Sequence, residues 1–189
     1  MKLWLVRHAR PLIDPGVCYG ALDVPADEAA TQATAAQLAI ALPATRLLST
    51  SPLQRCEQLA HCLQGLRPDL MLKTDTRLAE MNFGTWEGRH WDTIGETALT
   101  AWTADFPQHR PGGGESVRTF MARVEAAIIQ TVKQAADQGR SGNEHAIWIT
   151  HAGVIRAATL IAGGVRQIER ADQWPVSGLA WGEWVVLDI

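Results

Sequence analysis

The chain has 189 residues, 47% of them hydrophobic and 20% charged, which suffices for one sizeable core, excludes disorder and is short for two ordinary domains. A net charge of −3, from 17 Lys and Arg against 20 Asp and Glu, argues against broad electrostatic binding to nucleic acid, and the apolar runs are too short for a membrane span. Three cysteines, Cys18, Cys56 and Cys62, form no Cys-x-x-Cys pair, and only Leu3 to Val6 precede Arg7 as an apolar run, too short for a signal peptide; reduced thiols in a cytoplasmic protein are the expectation.

In chain order, Leu3-Trp4-Leu5-Val6 reads as a short buried strand. A loop with Pro11, Pro15, Gly16, Gly20 and Pro25 follows. Asp27 is placed to cap a helix that runs to Leu42 and stops at Pro43. Arg46 to Thr50 reads as a second strand. Ser51 as N-cap and Pro52 as first helical residue then open a helix through Leu63, with Gly65 beyond its end. Leu70 to Lys73 is a third strand.

Residues 80–114 are less regular. Trp91 to Trp102 is compatible with a helix, and Pro107, Pro111 and Gly112 to Gly114 make a loop. Ser116 can cap the longest helix, whose apolar stripe is Val117, Phe120, Met121, Val124, Ala127, Ile128 and Val132. Gly139 and Arg140 to Asn143 end it. Ala146 to Ile149 is a fourth strand, followed by a helix from Val154 to Ile161. Trp184 to Leu187 is a late strand, with a hairpin to Leu179-Ala180-Trp181 as its expected partner. Strands joined by helical crossovers predict an α/β fold: one domain with a mostly parallel sheet, helices on both faces.

Ligands of open α/β sheets bind outside the carboxyl ends of the strands. Arg7 and His8 follow the first strand, Ser51 to Arg55 the second, and Thr150 and His151 the fourth. Two histidines and two arginines at three strand ends suit a phosphate, which arginine can grip through paired hydrogen bonds. Arginines beside a histidine hold it neutral, and a neutral imidazole nitrogen is a nucleophile at phosphorus. A carboxylic acid must then protonate the leaving oxygen; Glu80 and Glu87 are the candidates, and spacing does not choose between them.

These residues resemble the histidine phosphatase superfamily, with its phosphoglycerate-mutase-like, three-layer αβα fold. Leu5-Val6-Arg7-His8 is similar to the family's Arg-His motif, and Ser51-Pro52-Leu53-Gln54-Arg55 to its Ser-Pro-Leu-x-Arg segment. Glu80-Met81-Asn82-Phe83-Gly84-Thr85-Trp86-Glu87-Gly88 resembles the stretch of its phosphatase branch; Gly113-Gly114-Glu115-Ser116 and His151-Ala152-Gly153-Val154-Ile155-Arg156 complete the set in family order. The resemblance implies His8 as phosphohistidine nucleophile, Arg7, Arg55 and His151 as phosphate ligands with His151 also catalytic, Glu80 as general acid and then base, and no metal or cofactor. The implied partner is a small-molecule phosphomonoester, with neither nucleic acid nor membrane. Gly16 to Pro25 looks like the cobalamin-pathway branch, whose members act on α-ribazole 5′-phosphate.

The chain departs from that pattern in places. Ala9 stands where the family usually has Gly, Ala21 where the cobalamin branch often has Arg, and Asp14 lies near the usual phosphate loop and is expected to point away from it. Other readings are a phosphoglycerate mutase, a general sugar- or nucleotide-phosphate phosphatase, and a non-catalytic phosphate-ligand binding protein, which Ala9 motivates. A metal-dependent hydrolase has no visible ligand spacing. Among eight tryptophans, Trp4, Trp148 and Trp184 are expected in the core, and Trp86 or Trp91 either at the pocket mouth or packed in the core. Glu87 is expected to satisfy backbone donors, and oligomeric state is not legible.

Overall fold

The computed structural model describes residues 1–45, 47–137 and 145–189. Its strands are β1 (Lys2–Arg7), β2 (Leu47–Thr50), β3 (Met71–Thr74), β4 (His145–Thr150) and β5 (Trp184–Asp188). Its helices are α1 (Glu28–Ala41), α2 (Gln54–Leu66), α3 (Glu96–Ala104), α4 (Val117–Asp137) and α5 (Ala152–Ala162). The strands form one sheet in the order β3-β2-β4-β1-β5. All pairs are parallel except β1 with β5.

Period-two alternation splits the core into two layers. Leu3 and Leu5 of β1, with Ala146 and Trp148 of β4, face α4 and α5. Val6, Leu48, Ile147 and Ile149 face α1 and α2 on the opposite side. The sandwich is therefore helix, sheet, helix, as the sequence implied.

The parallel ladder sets the register of the strand ends. Arg7 lies opposite Thr150, and Thr50 opposite Ile149. The ladder continues one residue past the strands: His8 N–H donates to Thr150 O at 3.0 Å and Ser51 N–H to Ile149 O at 3.0 Å. Three chain segments far apart in sequence thus leave the sheet side by side.

Asp27 caps α1 through a 2.8 Å bond from Ala30 N–H, and Ser116 caps α4, accepting from Thr119 N–H at 3.2 Å. Several expectations need correction. α2 starts at Gln54, not Pro52, and Ser51 is not its cap; Asp23, from the preceding loop, accepts from Gln54 N–H at 2.7 Å. The helix also runs past Gly65 to Leu66. The Trp91–Trp102 helix is broken at Gly95, whose φ of +88° favours glycine and separates a short 3-10 turn from α3. Val132 is 41% exposed, and Thr131 takes the inward seat, its hydroxyl accepting from Trp148 Nε1–H at 3.2 Å. Leu179 to Trp181 makes no hairpin: β5 pairs with β1 instead. The expected stop at Gly139 to Asn143, like Arg46, lies outside the described residues.

Candidate active site

At the carboxyl edge of the sheet His8 is buried at the end of β1, with its ring 5.1 Å from that of His151, centroid to centroid. His8 Nδ1 sits 2.7 Å from the carbonyl of Ala9. A carbonyl only accepts, so Nδ1 carries the proton and Nε2 keeps its lone pair. Burial first, then the Arg55 and Arg7 charges, lower the His8 pKa to about 3. The residue is thus a neutral imidazole with one unprotonated nitrogen. Ala9 supplies only its carbonyl to this bond, and its methyl is buried.

His151 has its own fixed tautomer. Arg55 Nε–H donates to its Nδ1 at 3.3 Å, so Nε2 holds the proton, directed to Ser51 Oγ at 2.7 Å. The Cys56 sulfur lies 3.4 Å from the same nitrogen. Burial, and after it Arg55 and His8, push the His151 pKa well below the ordinary value. Arg55 is fully buried, and its remaining bonds run to Leu22 O at 2.8 Å and Gly20 O at 2.7 Å. Arg7 donates to Leu179 O at 2.5 Å and packs over the Trp181 ring. Its Nε is buried and has no hydrogen-bond partner among the described residues, a donor that an anion would satisfy.

Glu80 approaches from the loop after the 3-10 turn Thr76–Leu78. Its carboxylate accepts from Met81 N–H at 3.0 Å and from Gly153 N–H at 2.9 Å, in the first turn of α5. A Cβ at residue 153 would come within 2.2 Å of Glu80 Oε1, so glycine there lets the carboxylate lie against the helix. Glu87 has a different position. One of its oxygens accepts from Phe83 N–H and Ala21 N–H, both at 2.8 Å, and it ties two loops together. Of the two carboxylates, Glu80 lines the cavity beside His8 and Glu87 does not.

Arg7, His8 and Glu80 open into a cavity of about 440 Å³. Arg55 and His151 belong to the same cluster but do not line its wall. Asp14 is exposed and lies away from it. The wall is aromatic: Tyr19, Phe83, Trp91, Trp102, Phe106, Phe120 and Trp174 line it. Trp91 was anticipated here. Trp86 is instead packed with Cys18 and Ile94, away from the cavity. Trp102 and Phe106 come from the end of α3 and the turn after it, Phe120 from α4 and Trp174 from the segment before β5; Phe120 was legible as part of the α4 stripe, but nothing in the sequence joined it to the other three. Arg156, within the last quoted motif, also lines the cavity, donates only to the Val176 and Ser177 carbonyls, and pairs with no carboxylate among the described residues. Among the described residues no group of three or more His, Cys, Asp or Glu is placed to hold a metal ion, and no helix is long and apolar enough to cross a membrane.

Comparison with known proteins places this geometry. The family model for the histidine phosphatase superfamily (branch 1) matches residues 3–183. A glucosyl-3-phosphoglycerate phosphatase of Mycolicibacterium vanbaalenii is 31% identical, over 98% of this chain and 83% of the relative. An adenosylcobalamin/alpha-ribazole phosphatase of Salmonella typhimurium is 27% identical, over 100% of this chain and 91% of the relative. Among solved structures, a mycobacterial glucosyl-3-phosphoglycerate phosphatase in complex with inorganic phosphate superposes with a TM-score of 0.81 at 25% identity, covering 99% of this chain and 89% of that one.

Proposed function

The chain belongs to the histidine phosphatase superfamily, and from that premise we propose that it is a phosphomonoesterase that works through a phosphohistidine at His8 and hydrolyses α-ribazole 5′-phosphate. The observation that carries the chemistry is His8 itself: buried, neutral, with Nδ1 protonated against Ala9 and Nε2 free, in one cavity with Arg7 and Glu80.

In the first step His8 Nε2 attacks phosphorus, the bond to the leaving oxygen breaks, and protonated Glu80 gives that oxygen its proton. Arg7, with Arg55 and His151 behind it, offsets the charge on the transferring phosphoryl oxygens. In the second step Glu80 takes a proton from water as the water attacks phosphorus. The P–N bond breaks, phosphate leaves and His8 returns to its neutral form. The buried pair of histidines matters because a protonated His8 has no nucleophilic lone pair.

The aromatic wall supports a leaving group with a flat apolar face. The benzimidazole base of α-ribazole 5′-phosphate has one, and stacking on such rings contributes on the order of 1–3 kcal/mol per base. One observation favours a second reading. Arg156, a cation in the cavity with no carboxylate partner among the described residues, suits a substrate whose leaving group carries an acid, such as glucosyl-3-phosphoglycerate, the compound named for the 31% relative.

Phosphate release from α-ribazole 5′-phosphate, glucosyl-3-phosphoglycerate, 3-phosphoglycerate and an aryl phosphate, for wild type and His8→Ala, tests both readings. Turnover highest for α-ribazole 5′-phosphate and lost in His8→Ala is the expected result. Preference for glucosyl-3-phosphoglycerate would move the substrate to the second reading. Stoichiometric phosphoryl transfer within 3-phosphoglycerate, without free phosphate, would make the protein a mutase. Binding of phosphomonoesters with no turnover would make it a binding protein.

A further inference from the structure

The Gly113-Gly114-Glu115-Ser116 segment lines no part of the aromatic cavity, yet it lies against the loop that carries Glu80. Backbones meet there without side chains between them. A Cβ on Gly112 would come within 2.2 Å of Phe83 O, and one on Gly114 within 2.2 Å of Asn82 O. Glu115 N–H donates to Asn82 O at 2.7 Å. This interlock sets the Glu115 carboxylate beside Arg123, in the second turn of α4.

Arg123 uses all five of its N–H donors. Nε and one Nη2 proton grip both oxygens of Glu115, at 2.8 and 2.9 Å. Nη1 donates to Arg77 O and Ala79 O, both at 2.7 Å. The last Nη2 proton goes to Glu80 O at 3.1 Å. The pair is mostly buried, at 20% and 13% side-chain exposure, so solvent competes weakly for these bonds. Three carbonyls in the four residues 77–80 thus converge on one guanidinium, including that of Glu80. The bonds of the 3-10 turn and one from the Thr150 hydroxyl to Leu78 O at 2.7 Å also hold this stretch, but among the described residues it is Arg123 that reaches the carbonyl of Glu80 itself.

We propose that Arg123, oriented by Glu115, is the positioning residue that aims the Glu80 carboxylate into the cavity. Arg123 itself lines only the polar groove behind Glu80, not the aromatic cavity, so it acts through Glu80 rather than on the phosphate. The proposal rests on the reading of Glu80 as proton donor and acceptor. Lysine keeps the charge at position 123 but has three donors and no fork, so it cannot reproduce the set.

The test compares two leaving groups. An alkyl phosphate needs a proton on its departing oxygen; a dinitrophenyl phosphate does not. For kcat/KM, which covers steps up to loss of the alcohol, Glu80→Gln is the control. Its expected loss is on the order of 10²–10³-fold with the alkyl ester and much less with the activated aryl ester. Arg123→Lys and Glu115→Gln are expected to show the same pattern at smaller size, about 10–100-fold against under about 3-fold, because misplacing a catalytic group by about 1 Å costs on that order. With the aryl ester their phosphoenzyme should also accumulate, since Glu80 must still activate water. Glu115→Gln preserves shape and two acceptor or donor atoms, so it reports even where Arg123→Lys melts early. Equal losses for both esters, or no loss in either variant while Glu80→Gln discriminates, would overturn the clamp. A Glu80→Gln variant that does not discriminate would overturn the reading of Glu80 on which it stands.

Discussion

The floor and the wall of the cavity are built on different principles. The floor is His8, with Ser51 and His151 packed behind it at the ends of neighbouring strands, and main-chain bonds from His8 to Thr150 and from Ser51 to Ile149 carry the sheet's register into the site. In the wall, Glu80 hangs on a loop whose carbonyls converge on one arginine and whose turns touch backbone to backbone. A floor of this kind is as rigid as the sheet, and its side chains are set by alternation. A wall of this kind depends on a few side chains and glycines, so it can be retuned one contact at a time. The proposed nucleophile sits where position is least adjustable, and the residues proposed to meet the leaving group sit where it is most so.

Substitutions on the two sides should therefore fail differently. The largest effect is on the floor: His8→Ala is expected to lower kcat by about 10⁴-fold or more with the fold retained, as removal of a covalent nucleophile does. Activity within tenfold of wild type would break the scheme. On the wall, Glu80→Gln is expected to cost about 10²–10³-fold with alkyl esters. Where the two regions meet, Gly153→Ala puts a methyl within 2.2 Å of Glu80 Oε1 and should lower kcat by roughly 10–100-fold with little change in KM. Normal kcat in that variant would mean the carboxylate need not lie against α5.

Smaller effects sharpen the contrast. Trp91→Ala should raise KM for α-ribazole 5′-phosphate about five- to tenfold, in line with a lost stacking partner, and leave 3-phosphoglycerate unaffected. Equal KM changes for both would remove the stacking role. The floor also makes stability depend on pH. His8 and His151 have pKa values lowered by burial and by arginines, to about 3 for His8, against about 6.5 when unfolded. Below about pH 6.5 the unfolded chain binds more protons than the folded one, so stability is present above that pH and declines as pH falls toward the folded value. Each such histidine contributes a slope of about 1.4 kcal/mol per pH unit in that window. Unfolding midpoints measured from pH 7 to pH 5 should fall for wild type, and less for His8→Ala. A flat profile would contradict a buried neutral pair.

The floor was legible in the sequence because strands announce themselves. Short apolar runs ending in Arg7-His8, Ser51 and Thr150-His151 placed those groups together, since parallel strands share one functional edge. The cap at α2 was misread because its acceptor, Asp23, lies 31 residues before the amide it serves. The same reason hid most of the wall. Trp102, Phe106, Phe120 and Trp174 fall in three stretches far apart in the chain, Arg156 closed a motif without showing that it faces the cavity, and five bonds to Arg123 leave no local mark in the chain. Glycines were visible at 112–114, but their closeness to the 82–86 segment is a property of the fold.

The central claim is a phosphoryl group held on His8. Wild-type protein should be mixed with a labelled phosphomonoester, quenched in alkali within the first turnovers, and its labelled peptide sequenced; phosphohistidine survives alkali and is lost in acid. The expected result is acid-labile label on His8, absent from His8→Ala. Steady phosphate release with no label on the protein, or with label on another residue, would contradict it.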